Sequence, residues 1–225
     1  MLIIGGKEIE TVCKSQNWKD TGMSFAVGHG AQRRLPKQKI DLGVIHWTGG
    51  EGDIKGLYAV LNSRDLGVEF GIDREGIITQ FADPVFVDTW DAGSVNARSW
   101  GVEIINYAID VYGGKMKKWA ELRGTEEWAI HGTKYQVANF LPTQITALKE
   151  LIEVVNGELG IPIQLPKDKN GVLLTTVMEP EELKIYSGIV GHYHITKSKT
   201  DPGIKVWWDL VNEGLTWDPY TEPVA

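Results

Sequence analysis

The sequence predicts an α/β fold, a single domain in which a mixed central β-sheet is flanked by helices. Three observations carry this. Patterns of helical period and short apolar runs of strand length are interspersed along the chain rather than segregated. Residues 70–72 and 77–81 flank Asp73-Arg74-Glu75-Gly76, with glycine at the last turn position, and so read as an antiparallel hairpin. Residues 100–106 are apolar on both alternating faces, as a strand covered on two sides must be, except for Glu103.

The elements follow in order. Residues 1–39 combine a short apolar start, Trp18 and a glycine-containing basic stretch, and read as an N-terminal arm lying on the core. Residues 42–46 form a buried strand that carries His46 to its end, where Gly49-Gly50 lets the backbone turn sharply. Ile54, Leu57, Tyr58 and Leu61 recur at helical spacing behind Asp53, a natural N-cap. From 107 to 141 the pattern loosens, and this insert is expected to form a flap beside a cleft. Ile145, Leu148, Leu151, Ile152, Val155 and Leu159 mark an amphipathic helix that starts near Pro142 and stops at Gly160. A polar insert, 165–182, leads to an expected strand at 185–190. Residues 202–213 read as a last helix ended by Gly214, and 215–225 as a tail.

Composition narrows the function. With 225 residues and 42% hydrophobic content, the chain can bury the core of one domain, here 40–214. A net charge of −7 argues against a nucleic-acid partner and against electrostatic capture by an anionic membrane or cell-wall polymer. The single cysteine, Cys13, excludes an intrachain disulfide and fits a reducing compartment. The start lacks the charged and apolar segments of a secretory signal, and no window has the length of a membrane span. The expectation is a monomer made in the cytoplasm, with no integral membrane association.

The chemistry concentrates in Gly191-His192-Tyr193-His194-Ile195-Thr196-Lys197-Ser198-Lys199-Thr200-Asp201-Pro202-Gly203. Imidazole and carboxylate both suit zinc, and a catalytic site needs three protein ligands with a further position open. His192 and Asp201 supply two candidates and His46 a third. Taken singly, each could instead be a satisfied core histidine or a helix-capping aspartate.

The His46 segment, the 70–80 hairpin, Trp90-Asp91-Ala92-Gly93, the stretch from Asn96 to Asn106 and Lys199-Thr200-Asp201-Pro202-Gly203 occur in one order over roughly residues 40–212. In this the chain resembles zinc-dependent N-acetylmuramoyl-L-alanine amidases, which share their fold with peptidoglycan recognition proteins and phage lysozyme-type amidases. The resemblance implies one zinc ion on His46, His192 and Asp201. It implies Glu103 as general base for the attacking water, the bland alternative being a carboxylate paired with Arg98. It makes Lys199 the stabiliser of the tetrahedral oxyanion. Trp90 and Asn96 become expected substrate contacts. His194, where relatives often carry an aspartate, would share a face with His192 in an extended segment and is expected to support the ligands or contact substrate, with metal ligation as the lesser alternative. Two departures matter. Val68 stands where one branch of the family has a catalytic tyrosine, and Asp91 replaces the histidine more usual after the tryptophan. His131 and Cys13 match nothing and read as structural. The implied reaction is hydrolysis of the amide between N-acetylmuramic acid and L-alanine of peptidoglycan or muropeptides. A phage endolysin is the preferred setting, with a cytoplasmic muropeptide-recycling enzyme, a non-catalytic peptidoglycan-binding module and a zinc hydrolase of another amide as alternatives.

Overall fold

The computed structural model describes residues 1–50, 52–107 and 123–216. Its N-terminal residues form a hairpin of β1 (Leu2–Ile4) and β2 (Lys7–Ile9), then β3 (Ser15–Gln16), a helical turn α1 (Trp18–Thr21) and β4 (Ala31–Arg33). Leu2 and Ile4 enter the main core, and β3 pairs with the central sheet. β5 (Leu42–Gly49) precedes α2 (Ile54–Ser63), whose cap is Asp53: its carboxylate accepts the Gly56 N–H at 2.7 Å. The expected hairpin is β6 (Phe70–Ile72) and β7 (Ile78–Gln80), joined by a turn in which Asp73 accepts from the Glu75 and Ile77 N–H groups. β8 (Val87–Thr89) pairs with β4, and a 3₁₀ segment, Gly93–Arg98, leads into β9 (Ser99–Tyr107).

The remaining elements depart from the sequence reading in four places. Part of the 107–141 insert is a hairpin, β10 (Thr125–Ile130) and β11 (Thr133–Ala138), and residues 108–122 lie outside the described residues. After α3 (Pro142–Leu159) comes a short helix α4 (Pro180–Ile185), so the strand expected at 185–190 is β12 (Gly188–Gly191) alone. Pro180 in the first turn, with Glu181 and Glu182 at the positive end of the helix dipole, favours helix there. Third, the segment after β12 is not extended: it is one helical turn, α5 (His192–Ile195). The last helix, α6 (Lys205–Asn212), starts later than expected because Pro202-Gly203 stays in a turn, with Gly203 at φ +84°.

The central sheet has six strands in the order β12-β5-β9-β6-β7-β3. All neighbours run parallel except β6 and β7. On one face Ile45, Trp47, Val102 and Ile104 pack with Leu148, Leu151 and Val155 of α3 and Trp207 of α6. Trp100 Nε1 donates to Asn156 Oδ1 at 3.1 Å, tying α3 to the central strand. Truncating a side chain such as Leu148, fully buried here, costs on the order of 2–5 kcal/mol. On the other face Ile105 packs with Leu57 and Leu61 of α2, while Val44 and Val190 pack with Ala92 and Val95. The result is an α/β single domain with a mixed sheet covered on both faces. None of the described helices is long and apolar enough to cross a membrane.

Candidate active site

Strand register builds the first half of the site. In the parallel β5–β9 pair His46 lies directly opposite Glu103, so both side chains leave the α2-covered face. They do so toward the carboxyl end of β5, β9 and β12, where parallel sheets present their ligands. β12 ends at Gly191 and α5 starts at His192, which places a second imidazole at the same edge. The loop carrying Asp201 closes on this edge: Asp201 O accepts the Tyr193 N–H at 3.2 Å, and a Cβ on Gly191 would lie 2.7 Å from Pro202.

These elements bring His46, His192 and Asp201 together, all buried, with ligand-type atoms within 4.8 Å of one another. Asp201 Oδ2 stands 3.0 Å from His46 Nδ1 and 3.2 Å from His192 Nδ1. The two rings meet edge to face with centroids 4.7 Å apart. On its far side His46 Nε2 is 3.3 Å from Asp91 Oδ2.

The electrostatics follow from burial and from these contacts. Burial opposes charge on His46, but its hydrogen bonds to Asp201 and Asp91 win and raise it to about 10. Burial likewise would raise the Asp201 carboxyl, and the histidine contacts instead hold it well below the carboxylate range. His192 is lowered, chiefly by burial. Glu103 is pushed up to about 7, first by burial and then by the Asp201 and Asp91 charges, with His46 and Lys199 pulling the other way. Its Oε2 is buried and has no hydrogen-bond partner among the described residues, and the same holds for Asp91 Oδ1. Three carboxylates around two imidazoles leave the site short of positive charge, and two imidazoles with a carboxylate are a zinc-type donor set. The residues therefore fit a divalent cation.

A cavity of about 120 Å³ opens over the cluster, with Glu103, Lys199 and Trp90 in its lining. It adjoins a second of about 160 Å³ along α2, and Thr48, Leu61, Arg64 and Glu103 line both. The Lys199 loop is held by His131, whose Nε2 lies 3.0 Å from Lys199 O. This gives His131 a structural role.

Two expected substrate contacts lie away from the cavities. His194 is fully buried: as the third residue of a helical turn it points away from His192, its Nδ1 accepting from Gly191 N–H at 2.9 Å and its Nε2 lying 2.8 Å from Leu174 O. Asn96 does not line either cavity; its side-chain oxygen accepts the Ala92 N–H at 2.7 Å and fastens the loop after Asp91. The alternative pairing of Glu103 with Arg98 is also absent, since Arg98 bonds Asp41 at 2.6 Å and the carbonyls of Leu183, Lys184 and Tyr186. Arg64 and the contact of Asp91 with His46 were missed by the sequence reading. A signal for the latter existed in Gly101, a residue without a side chain in a strand of bulky ones, because a Cβ there would stand 1.8 Å from Asp91 Oδ2.

The N-acetylmuramoyl-L-alanine amidase family profile matches residues 36–204, a span that holds every residue of this cluster. The chain belongs to that family. Among solved structures, it is similar to N-acetylmuramoyl-L-alanine amidase LysC from Clostridium intestinale URNW, at 15% identity over 83% of this chain and 94% of that one, with a TM-score of 0.50. It is also similar to Drosophila peptidoglycan recognition protein SD, at 13% identity over 92% and 98% of the two chains and a TM-score of 0.53. A third likeness is to the ectodomain complex of peptidoglycan recognition proteins LCa and LCx bound to tracheal cytotoxin, at 11% identity, 91% and 98% coverage and a TM-score of 0.52. At these identities the likenesses speak to the fold, which this amidase-family chain shares with the recognition proteins. No curated protein matches it in sequence.

Proposed function

We propose that this chain hydrolyses the amide joining the lactyl group of N-acetylmuramic acid to L-alanine in peptidoglycan or muropeptides, with one zinc ion held by His46, His192 and Asp201. The observation that carries the proposal is the register pair: a carboxylate with a raised pKa stands opposite a candidate ligand on the next strand and lines the same cavity. Zinc bound there would polarise the amide carbonyl and make water more acidic. Glu103 takes the proton of the attacking water and returns it to the leaving amine. Lys199 reaches the same cavity from an exposed loop and faces the charge that develops on the carbonyl oxygen. Trp90 forms a wall against the sugar or stem peptide, and the adjoining cavity along α2 takes the rest of the substrate.

The test is to incubate the purified protein with peptidoglycan, with and without a chelator and then with zinc restored, and to assay newly freed L-alanine amino groups. Their appearance, loss on chelation and return with zinc supports the proposal. Binding without release in any condition would leave a recognition module. Against that second reading stands the presence of all three candidate ligands and the candidate base in one cluster. Release from a non-muramyl amide alone would show a zinc hydrolase of other specificity.

For the biological setting we propose cell-wall lysis as an endolysin. Support comes from the N-terminal strands and the β10–β11 hairpin, which go beyond what a compact recycling enzyme needs. Faster release from intact sacculi than from soluble muropeptide fits that setting, and the reverse order fits recycling.

A further inference from the structure

The departure at residue 91 leaves a carboxylate on the outer side of a candidate ligand, and its surroundings are built to keep it there. Asp91 Oδ2 lies 3.3 Å from His46 Nε2, while the other ring nitrogen, Nδ1, is the one turned toward Asp201. The Asp91 side chain is 5% exposed. It occupies the space that a Cβ at residue 101 would fill, with Oδ2 1.8 Å from the ideal position of that atom. The backbone around it is pinned by Glu69, also buried, whose Oε2 accepts the Gly101 N–H at 2.7 Å and whose Oε1 faces the Thr89 N–H at 3.4 Å. Glu69 in turn lies 3.8 Å from the buried guanidinium of Arg34, which donates to the carbonyls of Pro84, Ala97 and Ser99. None of Asp91, Glu69, Gly101 and Arg34 has a part in the proposed reaction.

We infer that Asp91 is a positioning residue: it accepts the Nε2–H of His46, fixes that tautomer and ring orientation, and so presents Nδ1 to the metal, with Gly101 providing its seat. This rests on the zinc reading above. The physics is that of an outer carboxylate on a ligating imidazole, which locks the ring and makes it a better donor; loss of such a partner typically weakens metal binding about 10–100-fold.

The experiment measures zinc affinity by competition with a chromogenic chelator for the wild type, Asp91→Ala, Asp91→Asn, Gly101→Ala and the double variant Asp91→Ala/Gly101→Ala. Thermal melts of each metal-free protein accompany it, and long-range ¹H–¹⁵N spectra of the zinc-loaded wild type report its histidine tautomers. The inference expects Asp91→Ala to bind zinc about 10–100-fold more weakly. Asp91→Asn should fall between, because its amide oxygen still accepts the N–H without the charge. Gly101→Ala should lose affinity by displacing Asp91, yet add little in the Asp91→Ala background, where the carboxylate is gone and the methyl meets Val68 Cγ2, at 3.1 Å. His46 in the wild type should carry its proton on Nε2. Zinc affinity of Asp91→Ala within about twofold of wild type, or a zinc-loaded His46 protonated on Nδ1, would overturn the inference. The spectra need no variant, so a misfolded one leaves the question answerable. A wild type that binds no zinc overturns the metal reading itself, a result distinct from either.

Discussion

Replacing Glu103 by glutamine should separate function from stability in opposite directions. A general base of this kind contributes about 10²–10⁴ in rate, or about 3–5 kcal/mol of transition-state stabilisation. Glutamine keeps the shape and cannot take the proton, so kcat at saturating zinc should fall by that factor. Stability should move the other way. The Glu103 carboxyl sits at about 7 in the folded protein against its usual 4.5. A group raised on folding contributes stability below its unfolded pKa and loses it as pH rises through the folded value. At roughly 1.4 kcal/mol per pH unit, ionised Glu103 costs the metal-free protein up to about 3 kcal/mol by pH 8. This is a ceiling, because the cavity admits water to one side of the carboxylate. Relief of that cost should raise the melting temperature of metal-free Glu103→Gln by up to about 6–12 °C at pH 8 and scarcely at pH 4. Since Oε2 has no hydrogen-bond partner among the described residues, the substitution breaks none there. The assays are amine release at fixed zinc and calorimetric melts with chelator at the two pH values. A melting temperature unchanged or lowered at pH 8 would refute the burial argument; undiminished kcat would refute the catalytic one.

Other expectations follow from the same geometry. Lys199→Ala should lower kcat about 10²–10³-fold with zinc affinity retained, as for loss of one oxyanion partner; a change confined to KM would make Lys199 a binding residue only. Chelation should lower the melting temperature, by about 4 kcal/mol of linkage when free zinc stands a thousandfold above its dissociation constant; melts superimposable with and without chelator would exclude a buried metal site. Arg64 lines both cavities, and Arg64→Ala should raise KM about tenfold or more through loss of a charge-assisted contact while kcat changes little; an unaltered KM would place the substrate elsewhere.

The parts of the site carried by regular elements were legible in the sequence. A strand carrying a histidine, a lone glutamate in an apolar strand and a capped helix each have a local signature, and residues 42–49, 99–107 and 54–63 form these elements, although the first strand runs three residues past His46 instead of ending on it. What local pattern cannot give is the register between strands 57 residues apart, which alone puts Glu103 beside His46. His194 was misplaced for a related reason. In a strand, residues two apart share a face, but in the single turn of α5 they diverge, and the ring becomes an internal cap. The β10–β11 hairpin had a signal in His131-Gly132, both at positive φ in a tight two-residue turn, yet histidine is an uncommon first residue there. Asp91 was least legible, because nothing in a loop sequence says which ring its carboxylate will meet.

The charge balance of the cluster argues that a cation completes the site, as distinct from merely being tolerated there. Asp201 meets both histidines through a single oxygen, so the three donor groups are gathered on one point. Gathering them has left Asp91 and Glu103 buried beside Asp201 with an oxygen each unpartnered. The nearby basic groups do not offset this. Lys199 and Arg64 are exposed and largely screened by water, and the one raised imidazole is His46, already held between two carboxylates. A buried divalent charge would offset this crowding of carboxylates and favour the ionised form of Glu103, whose raised value the crowding and burial produce. The arrangement that makes metal-free Glu103 hard to ionise at neutral pH would thus, once an ion is bound, make it an available base.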